Sequence, residues 1–284
     1  MENCLIIINK SAGSSDKISF DTVKKTLGRN YRYACHTIPT DGEPTLSGYD
    51  ALAVCGGDGT LSTVLEKVYD KQQDVFYFPY GTLNDKAKAS HSKKQDEATN
   101  SVVGLVKAPN CQTVFSYVLA AGAFTPIGYS ASVKMKKRFG ALAYLAEVVK
   151  EYKVHRIRAK IVADGKEYEG EFALVMFIRS PRCFGFKFNK AYDEQSTSGH
   201  LVLIRSPKHD GLIGKIEMFF PFFRTFFMGL KKERDDKIVF QKFNNMTASF
   251  DLPTDFCKDG ERATIEGDVT VEFVKTECHL SLMR

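Results

Sequence analysis

The sequence lacks the cysteine patterns of proteins that bind metal clusters and of proteins that are stabilised by disulfide bonds. Its seven cysteines are odd in number and scattered, with no Cys-x-x-Cys pair and no cysteines and histidines at metal-ligand spacing. The N-terminal residues 1–9 read as a short strand and not as a secretory leader. We therefore expect free thiols in a reducing cytoplasm.

The sequence also lacks an apolar run of about 18 residues, the length that a membrane-spanning helix requires. Any membrane contact is therefore expected to be peripheral. The net charge of +6 is modest and favours anionic membrane surfaces or phosphorylated ligands weakly. We expect no nucleic-acid partner, and we see no internal repeat or low-complexity tail.

The first part of the chain alternates apolar runs with helical spacing. This order predicts a doubly wound α/β domain over residues 1–110, whose ligands sit at the carboxyl ends of the strands. The stretch between Ile38 and Tyr49 carries prolines and glycines but no helical pattern, so we expect a loop there. The predicted strands are Leu5–Ile8, Tyr31–Thr37, Ala51–Cys55 and Val75–Phe78, and the helices are Ser19–Leu27 and Leu61–Val68.

After Gln112 the pattern changes to many short strands joined by turns. It predicts an antiparallel β-sandwich or barrel-like domain over residues 111–284, with a boundary near Ala108–Asn110. Asp164-Gly165 between two strand patterns is a hairpin signal. Two of the later predicted strands are Val269–Val274 and His279–Met283, and one helix, Gly140–Tyr152, interrupts the series early.

The most informative motif is Gly56-Gly57-Asp58-Gly59-Thr60, which follows an apolar strand and precedes a helical pattern. Glycines let backbone N–H groups approach a ligand closely, and a helix N-terminus favours phosphate. Asp58 adds a carboxylate that could hold a nucleotide-bound magnesium ion through water.

A second motif, Pro79-Tyr80-Gly81-Thr82-Leu83-Asn84-Asp85, also follows a strand. The two motifs in this order resemble the diacylglycerol kinase catalytic family, which includes bacterial lipid kinases and sphingosine kinases and is related to the NAD kinases. The resemblance implies a nucleotide-binding α/β domain followed by a β-rich lipid-binding domain, with ATP as phosphate donor and Mg²⁺ as cofactor.

The resemblance also implies a set of nucleotide-binding residues. Ser62 stands where the family usually has an asparagine, so its side chain is shorter than that of the usual partner. Asn84 and Asp85 also suit the start of a helix, where they would act as caps. The implied nucleotide-binding residues are Asn9, Lys10, Ser11, Ala12, Gly13, Thr37, Gly56, Gly57, Asp58, Gly59, Thr60, Ser62, Thr82, Asn84 and Asp85.

Lys258-Asp259-Gly260-Glu261 matches the catalytic turn of the family, in which an acidic residue activates the lipid hydroxyl. A hydroxyl needs a base as its oxygen attacks the γ-phosphoryl group. One carboxylate of this turn can face the hydroxyl while the other supports it. Asp259, Glu261 and Asp58 all remain candidates for the base.

One departure concerns a turn that contains two aspartates in bacterial members and helps to hold a structural magnesium ion. The corresponding stretch here is Ser196-Thr197-Ser198-Gly199, which contains no carboxylate. A hard cation would lack its usual ligand there. We predict that this accessory site is lost or altered.

Residues 218–230 hold six phenylalanines and are followed by Lys231, Lys232 and Arg234. Aromatic residues beside basic ones suit an element that lies on an anionic bilayer, and a core helix is the alternative. Lys134, Lys136, Lys137 and Arg138 form a second basic cluster, which suits a solvated face or a headgroup site. The predicted lipid contacts are Phe222, Phe223, Phe226 and Phe227.

The sequence thus predicts a cytoplasmic, peripherally membrane-associated lipid kinase, with diacylglycerol as the favoured acceptor. Other lipid alcohols, such as a sphingoid base or phosphatidylglycerol, remain open. A NAD kinase-like enzyme is disfavoured because a soluble acceptor gives the Phe-rich segment no purpose. A degenerate, non-catalytic lipid- or nucleotide-binding member is the second class of function, and the prediction allows a homodimer.

Overall fold

The computed structural model describes residues 1–28, 30–89, 99–123, 154–232 and 236–283. The chain divides into two compact units, the first made of Met1–Val103 with Lys275–Arg284 and the second of Gly104–Val274. The predicted domains, 1–110 and 111–284, differ from this division mainly at the C-terminal end. There the last ten residues belong to the first unit, because the last strand pairs within its sheet.

The first unit contains a parallel sheet of five strands in the order β2-β1-β3-β4-β17. Only the end of β17 takes part, with His279–Leu282 paired to Asp74–Tyr77 of β4. The strands are β1 (Glu2–Asn9), β2 (Tyr31–Ile38), β3 (Ala51–Gly56), β4 (Asp74–Pro79) and β17 (Asp268–Leu282).

The central strands of this sheet are apolar without alternation. Leu5–Ile8 and Ala51–Cys55 are buried at every position, as expected of parallel strands covered on both faces. Ser19 caps the first helix by accepting a hydrogen bond from the Thr22 N–H group, and residues 39–50 form no helix, as predicted. The helices are a 3₁₀ turn (Ser15–Lys17), α1 (Phe20–Leu27), α2 (Asp58–Val68) and α3 (Asp85–Ala89).

The second unit is rich in antiparallel strands. The predicted hairpin at Asp164-Gly165 joins β8 to β9, and both turn residues have positive φ, at 44° and 85°. The strands are β5 (Thr99–Ala108, which begins in the first unit), β6 (Cys111–Phe115), β7 (Val118–Gly122), β8 (Ile157–Ala163), β9 (Lys166–Ile178), β10 (Arg182–Cys183), β11 (Phe186–Lys187), β12 (Gly199–Arg205), β13 (Ile238–Phe243), β14 (Asn245–Phe250), β15 (Thr254–Lys258), β16 (Glu261–Ile265) and the first part of β17.

Strand β9 organises the core of this unit because both of its faces are buried. Val175 and Phe177 lie in one apolar cluster with β14–β16, whereas Leu174 and Met176 lie in another. The second cluster also contains side chains of helix α4 (Gly211–Phe223) and of the π-helical turn that follows it, Arg224–Met228.

The predicted fold class, an α/β unit followed by an antiparallel β-rich unit, is confirmed. Two predicted strands, Val269–Val274 and His279–Met283, are in fact parts of the single 15-residue strand β17. The predicted helix Gly140–Tyr152 lies outside the described residues. In the described ranges, no helix combines the length and apolarity needed to cross a membrane.

Candidate functional site

Three loops of the first unit meet at the carboxyl ends of β1, β3 and β4. The backbone N–H groups of Tyr80 and Gly81 donate to the Gly56 carbonyl oxygen at 2.8 and 3.0 Å. The N–H group of Ser14 donates to the Tyr80 carbonyl oxygen at 2.9 Å. The turn after β1, the GGDGT turn and the turn after β4 therefore form one connected surface, where ligands of open α/β sheets bind.

Glycines make this close approach of the loops feasible. A Cβ atom on Gly81 would lie 2.5 Å from the Cα atom of Gly57, and one on Gly13 would lie 2.2 Å from the Thr82 hydroxyl oxygen. The first clash is with backbone, which cannot move aside as a side chain can. The glycines of the two motifs therefore serve close packing of the two loops, whereas their predicted approach to a ligand stays a prediction.

Asn9 joins the turn after β1 to helix α2. Its side-chain oxygen accepts a hydrogen bond from the Ser11 N–H group at 2.9 Å, and its amide nitrogen donates to the Thr60 hydroxyl oxygen at 2.8 Å. Because the Thr60 hydroxyl accepts this bond, its own proton is available to another acceptor. Lys10 and Ser11 are exposed beside it.

The N-terminus of α2 lies at the centre of the three loops. Its N-cap residue is Gly57, which has no side chain to accept a hydrogen bond from the first turn. The first N–H groups of a helix have no partner within the helix and carry the positive end of its dipole. The backbone at Gly59 and Thr60 is therefore suited to a phosphate group.

Asp58 is buried within the loop cluster, and its carboxylate already has partners. One oxygen accepts from the Asp85 N–H group at 2.6 Å, and the other accepts from the Tyr77 hydroxyl at 3.1 Å and the Lys86 N–H group at 3.3 Å. Asp58 thus fixes the start of α3 against α2. The described residues contain no group of three His, Cys, Asp or Glu side chains placed to hold a metal ion. The predicted contact of Asp58 with a nucleotide-bound magnesium ion, made through water, stays a prediction.

Three other predicted nucleotide ligands are wholly or partly buried in the protein. Ser62 is buried, and its hydroxyl oxygen has no hydrogen-bond partner among the described residues. Asn84 has a positive φ of 48° and donates to the carbonyl oxygens of Pro79 and Gly81, both at 2.8 Å. Asp85 is fully buried at the start of α3. Asn84 and Asp85 thus hold the loops in place, whereas Ser62 is buried in α2.

The remaining predicted ligands border the same surface. Thr37 lies at the end of β2 opposite Ile8 of β1, and its N–H group donates to the Asp41 carboxylate at 2.7 Å. Thr82 is exposed, whereas Ala12 is half-buried. Thr82 therefore joins Lys10 and Ser11 as a polar side chain open to a ligand.

The Lys258–Glu261 motif forms the hairpin turn between β15 and β16 in the second unit, where Lys258 pairs with Glu261. Asp259 has a positive φ of 50° and is only 2% exposed. Glu261 is exposed at the start of β16. The two carboxylates of this turn therefore have different environments.

The Asp259 carboxylate is used within the protein. One oxygen accepts from the N–H groups of Tyr117 at 3.0 Å and Val118 at 2.9 Å, and the other accepts from the Ser116 N–H group. The Asp259 N–H group in turn donates to the Val118 carbonyl oxygen at 3.0 Å. Asp259 thus holds the turn between β6 and β7, whereas Glu261 is exposed. The choice of base between them stays a prediction.

The comparisons with known proteins identify this arrangement. Residues 3–110 match the family model described as the diacylglycerol kinase catalytic domain. Residues 3–110 are thus similar to the diacylglycerol kinase catalytic family. This similarity supports an enzyme that transfers a phosphoryl group. The matched residues include the three loops but not the Asp259 turn.

The similarity to diacylglycerol kinases extends over the whole chain. The diacylglycerol kinase of Bacillus subtilis (strain 168) is 25% identical, over 100% of this chain and 96% of its own length. That of Staphylococcus aureus (strain Newman) is 24% identical over 92% of this chain and 85% of its own. A solved diacylglycerol kinase structure from Bacillus anthracis str. Sterne covers 99% of this chain and 97% of its own, with a TM-score of 0.69 at 16% identity. The last similarity shows a shared fold.

The segment that leads into Ser196–Gly199, the turn without aspartates, is held by the positively charged side chain of Arg179. The buried Arg179 guanidinium donates to the carbonyl oxygens of Glu194 at 3.0 Å and Ser196 at 2.5 Å. Its carbon lies 6.0 Å from the centre of the Tyr192 ring, and burial lowers the pKa of Arg179. Sequence reasoning missed Arg179, because its partners lie 15 and 17 positions away and no local pattern marks them.

The predicted lipid contacts are only partly exposed. Phe222 and Phe226 are 4% and 5% exposed and belong to the core cluster around β9, so the prediction that they contact lipid is wrong. Phe223 and Phe227 are half-buried and stack on each other with ring centres 5.2 Å apart. The basic cluster Lys134, Lys136, Lys137 and Arg138, together with Arg234, lies outside the described residues.

Proposed function

We propose that this protein transfers the γ-phosphoryl group of ATP to the hydroxyl group of a lipid, with diacylglycerol as the favoured acceptor. The observation that carries the proposal is the junction of three loops around the N-terminus of α2, whose N-cap residue Gly57 supplies no capping side chain. A sheet edge of this kind suits the phosphates of a nucleotide. The acceptor rests on the names of the relatives.

The exposed polar residues of this junction have distinct proposed roles. The backbone at Gly59 and Thr60 would donate to phosphate oxygens. Lys10 would bring positive charge, and the hydroxyl groups of Ser11 and Thr82 would add hydrogen bonds. Catalysis of phosphoryl transfer consists mostly of such positioning and charge stabilisation.

The transfer itself also needs a proton acceptor. In the proposed reaction the lipid hydroxyl oxygen forms a bond to the γ-phosphorus, and the bond from that phosphorus to the β–γ bridging oxygen breaks to release ADP. The hydroxyl proton passes to Glu261, whose carboxylate is exposed, while Asp259 fixes the turn. Magnesium enters the proposal as an ion that the nucleotide brings with it.

The test is phosphoryl transfer from radiolabelled ATP to a panel of lipid alcohols in mixed micelles. The panel holds diacylglycerol, a sphingoid base and phosphatidylglycerol, with NAD as a soluble acceptor. We expect label in phosphatidic acid. Label in another lipid would change the acceptor but keep the lipid kinase. Binding of ATP without transfer to any acceptor would instead favour the non-catalytic alternative, to which the buried Ser62 gives slight support.

A further inference from the structure

Residues 192–198 of the second unit lie between the short strand β11 and strand β12 and form neither a helix nor a strand. The backbone carbonyl groups of such a segment lack the partners that a sheet supplies, so they need other donors. Two of them, those of Glu194 and Ser196, accept from the Nη2 atom of Arg179. This nitrogen carries two hydrogens, one for each carbonyl oxygen. A single side chain that follows β9 therefore organises the segment.

Arg179 brings a buried positive charge to the 192–198 segment. The residue is 5% exposed, and a guanidinium group stays protonated at neutral pH. A buried charge needs compensation from nearby groups. The two carbonyl oxygens supply part of it, and the ring of Tyr192 and the carboxylates of Asp193 and Glu194 add further attraction. The segment is thus folded around a cation.

This segment leads into residues 196–199, where the sequence predicts that an accessory magnesium site is lost or altered. Magnesium demands octahedral oxygen coordination and is usually bound through one or two carboxylates. Residues 196–199 supply none, and one oxygen of the nearby Asp193 carboxylate accepts from the Gln195 N–H group at 3.0 Å. The charge of Arg179 would also repel a second cation at the same carbonyl oxygens. The donor set therefore does not fit a magnesium ion.

We propose that the Arg179 guanidinium is the structural cation of the 192–198 segment and takes the place of a metal ion there. An ion from solution stabilises a segment only to the extent that it is bound, and this depends on its concentration. A cation that belongs to the chain is present in every molecule. The structure of the segment should therefore be independent of the magnesium concentration.

The backbone of Arg179 connects the same segment to the acidic hairpin turn. Its N–H group donates to the Tyr117 carbonyl oxygen at 2.8 Å, and the Tyr117 N–H group donates to the Asp259 carboxylate at 3.0 Å. These bonds do not involve the guanidinium. Replacing the side chain of Arg179 should therefore loosen residues 192–198 and leave the Asp259 turn in place, so the turn can serve as an internal reference.

The test is amide hydrogen exchange, followed by mass spectrometry, in solutions that contain either EDTA or magnesium chloride. No nucleotide or lipid is present, so the result is independent of the proposed reaction. Arg179→Gln removes the charge and keeps a polar side chain, whereas Arg179→Lys keeps the charge on a shorter side chain. Lys190→Gln is the matched control, because it removes an exposed positive charge just before the segment.

We expect residues 192–198 of the wild type to exchange at the same rate in both solutions. In Arg179→Gln they should exchange about 10-fold faster, while the amides of Tyr117 and Val118 stay protected by Asp259. Exchange in Arg179→Lys should be intermediate, and Lys190→Gln should match the wild type. The comparison of the two solutions needs only the wild type, so it decides the question even if Arg179→Gln does not fold.

Two results would overturn the proposal. The first is slower exchange of residues 192–198 in the wild type with magnesium than with EDTA, which would show that the segment takes up the ion. The second is a folded Arg179→Gln protein in which these residues exchange as slowly as in the wild type, which would show that the segment needs no cation from Arg179.

Discussion

Asp259 and Glu261 lie two residues apart in one hairpin turn, yet their carboxylates meet different surroundings. The Asp259 carboxylate accepts three consecutive backbone N–H groups, from Ser116 to Val118, whereas Glu261 faces outward. One acid of the turn therefore contributes to stability, and the other is the one that we propose as the base.

This difference predicts two separable phenotypes. Asp259→Ala should lower the free energy of unfolding by about 3 kcal/mol or more, because three backbone donors lose a charged acceptor. Glu261→Gln should leave the melting temperature unchanged and lower turnover about 100-fold or more, as loss of a general base does. Urea unfolding and steady-state kinetics measure the two effects.

The control is Glu266→Gln, which neutralises an exposed carboxylate just beyond the same hairpin. It should change neither stability nor turnover. Full activity in Glu261→Gln would remove Glu261 from the reaction and return the base to the open candidates Asp259 and Asp58.

Asp58 joins the GGDGT turn to the turn after β4. Asp58→Asn should lower the free energy of unfolding by about 1–3 kcal/mol, because one oxygen that accepts buried hydrogen bonds becomes an NH₂ group. ATP affinity should fall about tenfold, since the two loops lose their fixed spacing. Tyr77→Phe removes only one of the three donors, so it should cost about 0.5–1.5 kcal/mol and keep ATP binding. Urea unfolding and isothermal titration calorimetry with ATP would show whether Asp58→Asn loses more stability and more ATP affinity than Tyr77→Phe. An Asp58→Asn protein that binds ATP normally would contradict the prediction.

The residue scale also shows where sequence reasoning works and where it stops. The glycine loops could be predicted, because a buried strand, a glycine turn and a helix follow one another within 20 residues. The role of Asp259 could not, because its partners lie 141–143 positions earlier in the chain. Likewise, nothing in the residues around Asp58 shows that the N–H groups of Asp85 and Lys86 take up its oxygens.

At the scale of the element, helix α4 shows a limit of periodicity. A stripe of apolar residues locates one face of a helix, but α4 is apolar on two sides. The sequence therefore indicated a core helix or a membrane helix and could not tell which phenylalanines serve which side. Packing against β9 decides this, and it buries Phe222 and Phe226.

The two sides of α4 predict opposite responses to the same substitution. Phe222→Ala and Phe226→Ala should each lower the free energy of unfolding by about 3–5 kcal/mol, because each leaves a cavity in a packed core. Phe220→Ala should change it by less than about 0.5 kcal/mol, since Phe220 is exposed. Urea unfolding of the three variants gives the comparison, and equal losses at Phe220 and Phe226 would refute the assignment of the two sides.

At the scale of the whole molecule, the end of β17 completes the first unit. His279–Leu282 pair in parallel with β4, and the Met283 N–H group donates to the Tyr77 carbonyl oxygen at 2.9 Å. Cys278 is fully buried in this segment, and burial raises the pKa of its thiol. The sequence predicted a strand at His279–Met283 but could not assign it to the first sheet, because strand pairing over 200 residues has no local signal.

Removing residues 275–284 should therefore disable the first unit, although the rest of that unit, Met1–Val103, lies at the other end of the sequence. β4 would become an edge strand with unpaired backbone groups. We expect fast hydrogen exchange in Asp74–Pro79 and loss of ATP binding. Amides of β9 in the second unit should remain protected and serve as the internal reference. Normal ATP binding by the truncated protein would show that the β4–β17 pairing is dispensable.

The return of the chain to its first sheet also sets an order for folding during synthesis. Domains usually fold as units while the chain leaves the ribosome, the N-terminal one first. Here the ribosome must add all of Gly104–Val274 before it makes the residues that pair with β4. The unit that is begun first is thus completed only after the second unit has been made, and a nascent chain keeps the edge of β4 uncovered until His279–Leu282 have been added.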